Sequence, residues 1–362
     1  MARQERIMEI KKSLTFGSRL KETDFSRLVF GETFSDHMFV ADYANGRWVS
    51  PRIVPFGPME VSPGNCAMHY GQIIFEGLKA FRAADGGVNL FRPDRHCERL
   101  NRSAARLCMP RVPVELFMEG LEGLVKTDNG WVPRERGCSL YVRPFMFASD
   151  NFLGVKVSQG YRLMIITCPV GAYYKEGMDP VSLVTSGKYV RAARGGLGEA
   201  KTPANYAASL LPAEEAKKEG FSQVLWLDGS ARGNIEEVGT MNIMFVIDGE
   251  IVTPRLNGSI LPGVTRDSVL RLAGDWRIGI RQRRISIREL TDASIEGRLT
   301  EAFGTGTAAV ISPVGSISHE RETYRINGGG IGPLARKFYD EITAIQYGEK
   351  PDIYGWCRRI KP

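Results

Sequence analysis

Apolar and polar positions alternate over residues 38–43 and 48–54, with Asn45-Gly46 between them, which predicts two strands joined by a turn. A second turn signal, Asp85-Gly86-Gly87, precedes a short apolar strand over 88–91. At Pro93 the period changes: Cys97, Leu100, Ala104 and Leu107 recur at helical spacing behind the opening pair Pro93-Asp94. Residues 114–126 predict another amphipathic helix, and 139–147 and 161–170 two further strands. These elements predict a compact α+β half, preceded over 1–28 by a charged, aperiodic arm lying on the surface or on a partner subunit.

The pattern breaks in the Gly- and Tyr-rich stretch 171–179. The division it predicts is a small α+β domain at 1–174, an interdomain loop at 175–185 and a large domain at 186–362. In the large domain Gly195, Gly196 and Gly198 lead to Lys201, followed by a helix over 204–219 that Pro212 should kink and Gly220 close. Strands are expected at 223–227, 241–247 and 250–253, the last two joined by the hairpin signal Asp248-Gly249. A helix over 264–273 should stop at Gly274, and Ile278, Ile280, Ile285 and Ile287 suggest a strand with a bulge.

A length of 362 residues exceeds one core of roughly 100 to 200 residues and supports two domains. Hydrophobic residues at 43% and charged residues at 25% argue against disorder or a fibre. No apolar run reaches the roughly 18 residues of a membrane span, and the charged start lacks the apolar core of a signal peptide. The six cysteines are scattered and form no C-x-x-C, so a reducing, cytoplasmic setting is expected. Lys plus Arg exceeds Asp plus Glu by seven, which suits anionic small substrates or nucleic acid. The densest patch, Arg281, Arg283 and Arg284, is read as a solvated strand face, so no nucleic-acid partner is expected.

Neither G-x-x-x-x-G-K-[ST] nor H-E-x-x-H occurs, and the four histidines have no ligand-like spacing, so no metal is expected. The stretch 304–309, G-T-G-T-A-A, fits a dinucleotide fingerprint in letters, but a β-like run with a proline follows where that fingerprint needs a helix. It suits either a plain turn or an anion cradle of backbone N–H groups and threonine hydroxyls. Residues 261–266, L-P-G-V-T-R, give a second cradle in which Val264 and Thr265 open a helix, or else ordinary N-capping by Thr265. Lys201, set among Gly198, Ala200 and Ala204, reads as a surface lysine or as one drawn into a cleft where it loses its proton readily. Glu237, just before the apolar run 241–246, reads as a strand-end surface charge or an inward carboxylate.

Four ordered stretches carry a resemblance: G-G-L-G-E-A-K-T-P-A-N-Y at 195–206, E-V-G-T-M-N at 237–242, L-N-G-S-I-L-P-G-V-T-R at 256–266 and F-G-T-G-T-A-A at 303–309. With F-E-G-L-K-A-F at 75–81, L-F-R-P at 90–93, S-L-Y-V-R-P at 139–144 and C-P-V-G-A-Y at 168–173, the chain resembles a branched-chain amino-acid aminotransferase over roughly residues 15–350. The resemblance is nearer to the longer, mammalian-like branch. It implies a two-domain α+β fold of pyridoxal-phosphate fold type IV, in a homodimer, with the large domain binding pyridoxal 5'-phosphate.

The resemblance further implies that Lys201 carries the cofactor and moves the reacting proton, that Glu237 faces the ring nitrogen, and that Tyr206 bonds the ring oxygen, with Asn242 near by. Arg99, Val264, Thr265 and Thr307 would hold the phosphate. Thr240 and the backbone of Ala308 and Ala309 would take the substrate carboxylate. Phe75, Tyr141 and Tyr173 would line the side-chain pocket with Tyr70 of a second subunit, and Arg143 would receive the distal carboxylate of glutamate. The implied reaction exchanges the amino group of leucine, isoleucine or valine with 2-oxoglutarate. A D-amino-acid aminotransferase or an aminodeoxychorismate lyase shares the lysine and glutamate, and a basic binding protein with a dead site is the rival of another class. Ala309 and Ser312 stand where the mammalian enzymes have a C-x-x-C, so their thiol control is not implied.

Overall fold

The computed structural model describes residues 9–171 and 178–361. The chain divides into two units, Met1–Tyr173 with Ile345–Pro362, and Tyr174–Ala344.

In the first unit a mainly antiparallel sheet runs in the order Lys11–Lys12, Arg47–Pro55, His37–Ala44, Tyr161–Val170, Ser139–Ala148, Leu78–Arg82, Val88–Phe91 and Cys357–Ile360. The short strand Ile73–Phe75 also pairs with Ser139–Ala148. Helix Val114–Thr127 buries Phe117, Gly120, Leu121, Leu124 and Val125, the i, i+3, i+4, i+7, i+8 stripe of a core-facing helix. Gly120 lets the helix approach the sheet, since a Cβ there would collide with the Phe39 ring. The charged arm lies on this unit's own sheet: Lys11–Lys12 pairs with Arg52 and Ile53, and Thr15 N donates to His37 Nε2 at 3.0 Å.

The second unit is built around a ring of six strands. Val181–Thr185 pairs with Gln223–Leu227, then come Ile235–Val238, Met241–Ile247, Leu299–Gly306 and Val310–His319, which returns to Val181–Thr185. Leu183, Leu225, Ile243, Phe245 and Val314 fill the associated core. Asp248 and Gly249 take the left-handed conformations, φ 52° and 77°, of the expected hairpin turn.

Several expectations are corrected. From Ile345 the chain belongs to the first unit, because Cys357–Ile360 pairs antiparallel with Val88–Phe91 at the edge of its sheet. Residues 181–185 of the expected loop form a strand, and 172–177 lie outside the described residues. The helix expected over 204–219 is two, Pro203–Ala207 and Leu210–Lys218. Pro212 cannot donate to Ala208 and its ring crowds that carbonyl, so it occupies the first turn of a new helix, where an N–H has no helical partner anyway. Helix Val264–Asp275 runs through Gly274; Arg277 takes the left-handed position, φ 57°. Only Ile280–Arg283 is strand, because Ser286 accepts from Glu289 N and starts helix Ile287–Ile295. Arg281 and Arg283 are spent on Glu250 and Glu289. Among the described residues no helix is long and apolar enough to cross a membrane.

Candidate active site

E-V-G-T-M-N folds as a hairpin. Val238 opposes Met241 across the two residues Gly239 and Thr240, with Gly239 at φ 51°, and Glu237 opposes Asn242 on the next rung. Glu237 is therefore not a strand-end surface charge: it is 3% exposed. Its Oε1 accepts from Asn242 Nδ2 at 2.9 Å and from Leu261 N at 3.0 Å, and Arg191 Nε lies 2.7 Å from Oε2. Burial outweighs these partners and pushes the carboxyl up to about 7. Asn242 also donates to Leu261 O at 2.9 Å, so one amide ties hairpin and loop together. Gly263 is required beside it, since a Cβ would run into Asn242 Oδ1.

Lys201 is held by the small residues before it. Asn205 Nδ2 donates to Leu197 O at 2.7 Å and to Ala200 O at 2.8 Å, folding the loop back on the helix that Pro203 opens. A Cβ on Gly198 would meet the Ser259 backbone, so only glycine allows this approach. Lys201 is half-buried, and its Nζ donates to Tyr206 Oη at 2.5 Å. A small cavity opens here, lined by Arg191, Ala200, Tyr206, Glu237 and Thr240 among others.

Helix Val264–Asp275 begins after Gly263 with no side-chain cap, so Thr265 does not serve as the N-cap. Val264 and Thr265 are both buried in its first turn, where N–H groups and the helix dipole favour an anion. Gly304 and Gly306 are strand residues rather than loop, and the turn lies at 307–309, closed by Val310 at φ 64°. Thr307, Ala308 and Ala309 form that turn; Thr305, on the rung opposite Asn242, has a buried hydroxyl with no hydrogen-bond partner.

In the first unit Arg99 is buried on helix Pro93–Arg106 and its Nε and Nη2 donate to Glu76 at 2.7 and 2.9 Å. His96 Nδ1 lies 2.7 Å from the same carboxyl, and the arginine beside Glu76 holds it, despite burial, well below the usual carboxylate range. Arg143 sits over the Phe75 ring at 4.7 Å and the Tyr141 ring at 5.4 Å, and donates to Tyr141 Oη at 3.0 Å. Tyr70 is exposed at the end of the short helix Cys66–Tyr70. Tyr173 lies outside the described residues. Sequence reasoning passed over Glu76, Arg191 and Asn205. A lone carboxylate in the apolar run I-I-F-E-G-L was the available signal for Glu76, whereas nothing local marks Arg191 in R-A-A-R-G-G.

A model of the class IV amino-transferases matches residues 74–317. The chain belongs to the class IV aminotransferases. Among relatives of this aminotransferase, branched-chain-amino-acid aminotransferase 2 of Bacillus subtilis (strain 168) is 51% identical over 352 residues, 97% of each chain. The branched-chain-amino-acid aminotransferase of Mycobacterium tuberculosis (strain CDC 1551 / Oshkosh) is 46% identical over 91% of this chain and 92% of its own. A solved Escherichia coli branched-chain amino acid aminotransferase superposes with a TM-score of 0.72 at 28% identity, covering 89% of this aminotransferase and 98% of the other chain. The T.th. enzyme of the same name, complexed with N-(5'-phosphopyridoxyl)-L-glutamate, does so with 0.72 at 29%, covering 88% and 97%. The α+β architecture expected for a class IV aminotransferase is thus the one observed.

Proposed function

We propose that the chain exchanges the amino group of L-leucine, L-isoleucine or L-valine with 2-oxoglutarate, using pyridoxal 5'-phosphate. The observation that carries this reading is the hydrogen bond from Lys201 to Tyr206, which together with the buried Glu237 lines one cavity, in a chain about half identical to branched-chain aminotransferases. The residues fit the cofactor. Glu237 is a desolvated carboxyl whose pKa stands near 7, and a protonated ring nitrogen would hold it ionised. When bound, pyridoxal phosphate supplies a carbonyl carbon for the amine and a ring that accepts electrons from the substrate Cα.

Lys201 Nζ is the nucleophile and proton carrier, with Tyr206 Oη against it as hydrogen-bond acceptor. Glu237 keeps the proton on the ring nitrogen, and Arg191 and Asn242 fix the carboxyl in place. Val264, Thr265 and Thr307 hold the phosphate, with Arg99 as its cation. Thr240 and the backbone of Ala308 and Ala309 take the substrate carboxylate. Phe75 and Tyr141 line the aliphatic pocket, and Arg143 receives the distal carboxylate of glutamate. The enzyme is proposed to act as a homodimer, with Tyr70, 46% exposed, serving the partner's site, and to work in the cytoplasm. Half-reactions with L-leucine, D-alanine and L-glutamate, followed through the cofactor's absorbance, test the reading. Conversion of D-alanine in preference to L-leucine would overturn it.

A further inference from the structure

Two carboxylates stand side by side on strand Ile235–Val238, and only Glu237 lines the cavity. Glu237 opposes Trp226 and Ile235 opposes Leu227, so Glu236 is the extra residue of a β-bulge, a distortion that re-aims a side chain. Glu236 is nevertheless as buried as its neighbour, at 3% exposure, and its Oε2 has no hydrogen-bond partner. A second buried carboxylate is costly unless its contacts offset the lost hydration.

Those contacts lead to the loop at 256–261. Ser259 Oγ donates to Glu236 Oε1, and Asn257 Nδ2 donates to the same oxygen at 3.2 Å. Asn257 Oδ1 in turn accepts from Ser259 N at 3.0 Å, so Ser259 is held at both its hydroxyl and its backbone. The Ser259 carbonyl accepts from Arg191 Nη2, which also donates to Gly198 O at 3.3 Å, and Arg194 Nε donates to Asn257 O at 3.2 Å. The segment from Arg191 to Lys201 therefore rests on residues 257–259, with Gly198 packed directly on the Ser259 backbone. Arg191 completes the path, its Nε 2.7 Å from Glu237 Oε2.

We propose that Glu236 is a positioning residue: it fixes Ser259, whose carbonyl seats Arg191 on Glu237. Its consequence for turnover rests on the aminotransferase reading given above, whereas its hold on the Arg191–Glu237 pair does not. Besides Arg191, the charged groups acting on Glu237 are Lys201, Arg266 and Glu236 itself. Removing the Glu236 charge favours ionised Glu237, whereas letting Arg191 drift away disfavours it. Glu236→Gln and Glu236→Leu both lack the charge, and only leucine lacks the oxygen to which Ser259 donates. A difference between these two variants therefore reports positioning alone.

Denaturant melts of the cofactor-free variants across about pH 5 to 9 locate the pH at which the stability linked to Glu237 is lost, about 7 in the wild type. That midpoint should lie at least about half a pH unit higher in Glu236→Leu than in Glu236→Gln, because Arg191 no longer sits against the carboxyl. Ser259→Ala should raise it above the wild type, and adding Ser259→Ala to Glu236→Leu should shift it no further, since both act through one contact. In the cofactor-loaded enzyme, kcat with L-leucine should fall about 5- to 10-fold in Glu236→Leu with KM unchanged, and Glu236→Gln should restore it to within about threefold of the wild type. Equal midpoints in Glu236→Leu and Glu236→Gln, additive shifts in the double variant, or equal losses of kcat in the two Glu236 variants overturn the proposal. Midpoints separated as expected in a protein that does not turn over leucine support the positioning and overturn the assigned activity.

Discussion

Arg191 and Glu237 form a buried pair, 2.7 Å apart, in which the carboxyl still titrates near 7. The folded-state pKa is raised above its ordinary value of 4.5, so the folded protein binds this proton more tightly than the unfolded chain. Its contribution to stability is complete below about pH 4.5 and is lost as pH rises through about 7. Relative to Glu237→Gln, the cofactor-free wild type should lose up to about 3 kcal/mol between about pH 5 and 8. Denaturant melts of both proteins across that range check this, and parallel pH profiles would remove the assigned shift.

Tyr206→Phe removes the hydroxyl that accepts from Lys201 Nζ. Turnover should fall by about 10- to 100-fold with the fold intact, as expected for one hydrogen bond to a charged group. Lys201→Ala should lose essentially all turnover, since no second amine replaces the nucleophile. Single-turnover spectra of the two variants separate these outcomes.

Arg143 makes no ion pair with a carboxylate among the described residues; it is stacked on Phe75 and Tyr141. Arg143→Met should weaken the glutamate and 2-oxoglutarate half-reactions by about 10²-fold, roughly 3 kcal/mol, and the leucine half-reaction far less. Equal losses for both substrates would assign Arg143 to folding.

Gly198→Ala drives a Cβ into the Ser259 backbone, where no flexible side chain can yield. A loss of about 1–3 kcal/mol is expected, as for overpacking, together with slower turnover because the displaced loop carries Lys201. Thermal melts paired with kcat detect both effects.

Regular elements were legible where an apolar run was long or a turn signal announced it: Tyr161–Val170 and Met241–Ile247, and Val88–Phe91 behind Asp85-Gly86-Gly87, have the expected limits. The hairpin around Glu237 was not, because Ile235–Val238 has only four residues and its turn, Gly239-Thr240, lacks the Asn-Gly or Asp-Gly signature. The Ser286 N-cap of helix Ile287–Ile295 was written in the sequence but hidden by isoleucines spaced like a strand. In the site, Lys201 and Glu237 could be singled out by chemistry and resemblance. The side chains that hold them could not: Arg191 and Asn205 act through contacts with Glu237, Leu197 and Ala200 that only folding creates.

The six-strand ring has a consequence for how specificity can be altered. A strand with a free edge can slip by two residues and keep its inward face, but a strand paired on both sides must break two ladders to do so. Met241–Ile247 is paired with Leu299–Gly306 on one side and with Ile235–Val238 and Glu250–Pro254 on the other. The acid at Glu237 is therefore locked in register with the turn at 307–309. Insertions within these strands should be lethal to folding, and changes of substrate should be engineered in the turns at 239–240 and 307–309 or in the side chains around Arg143.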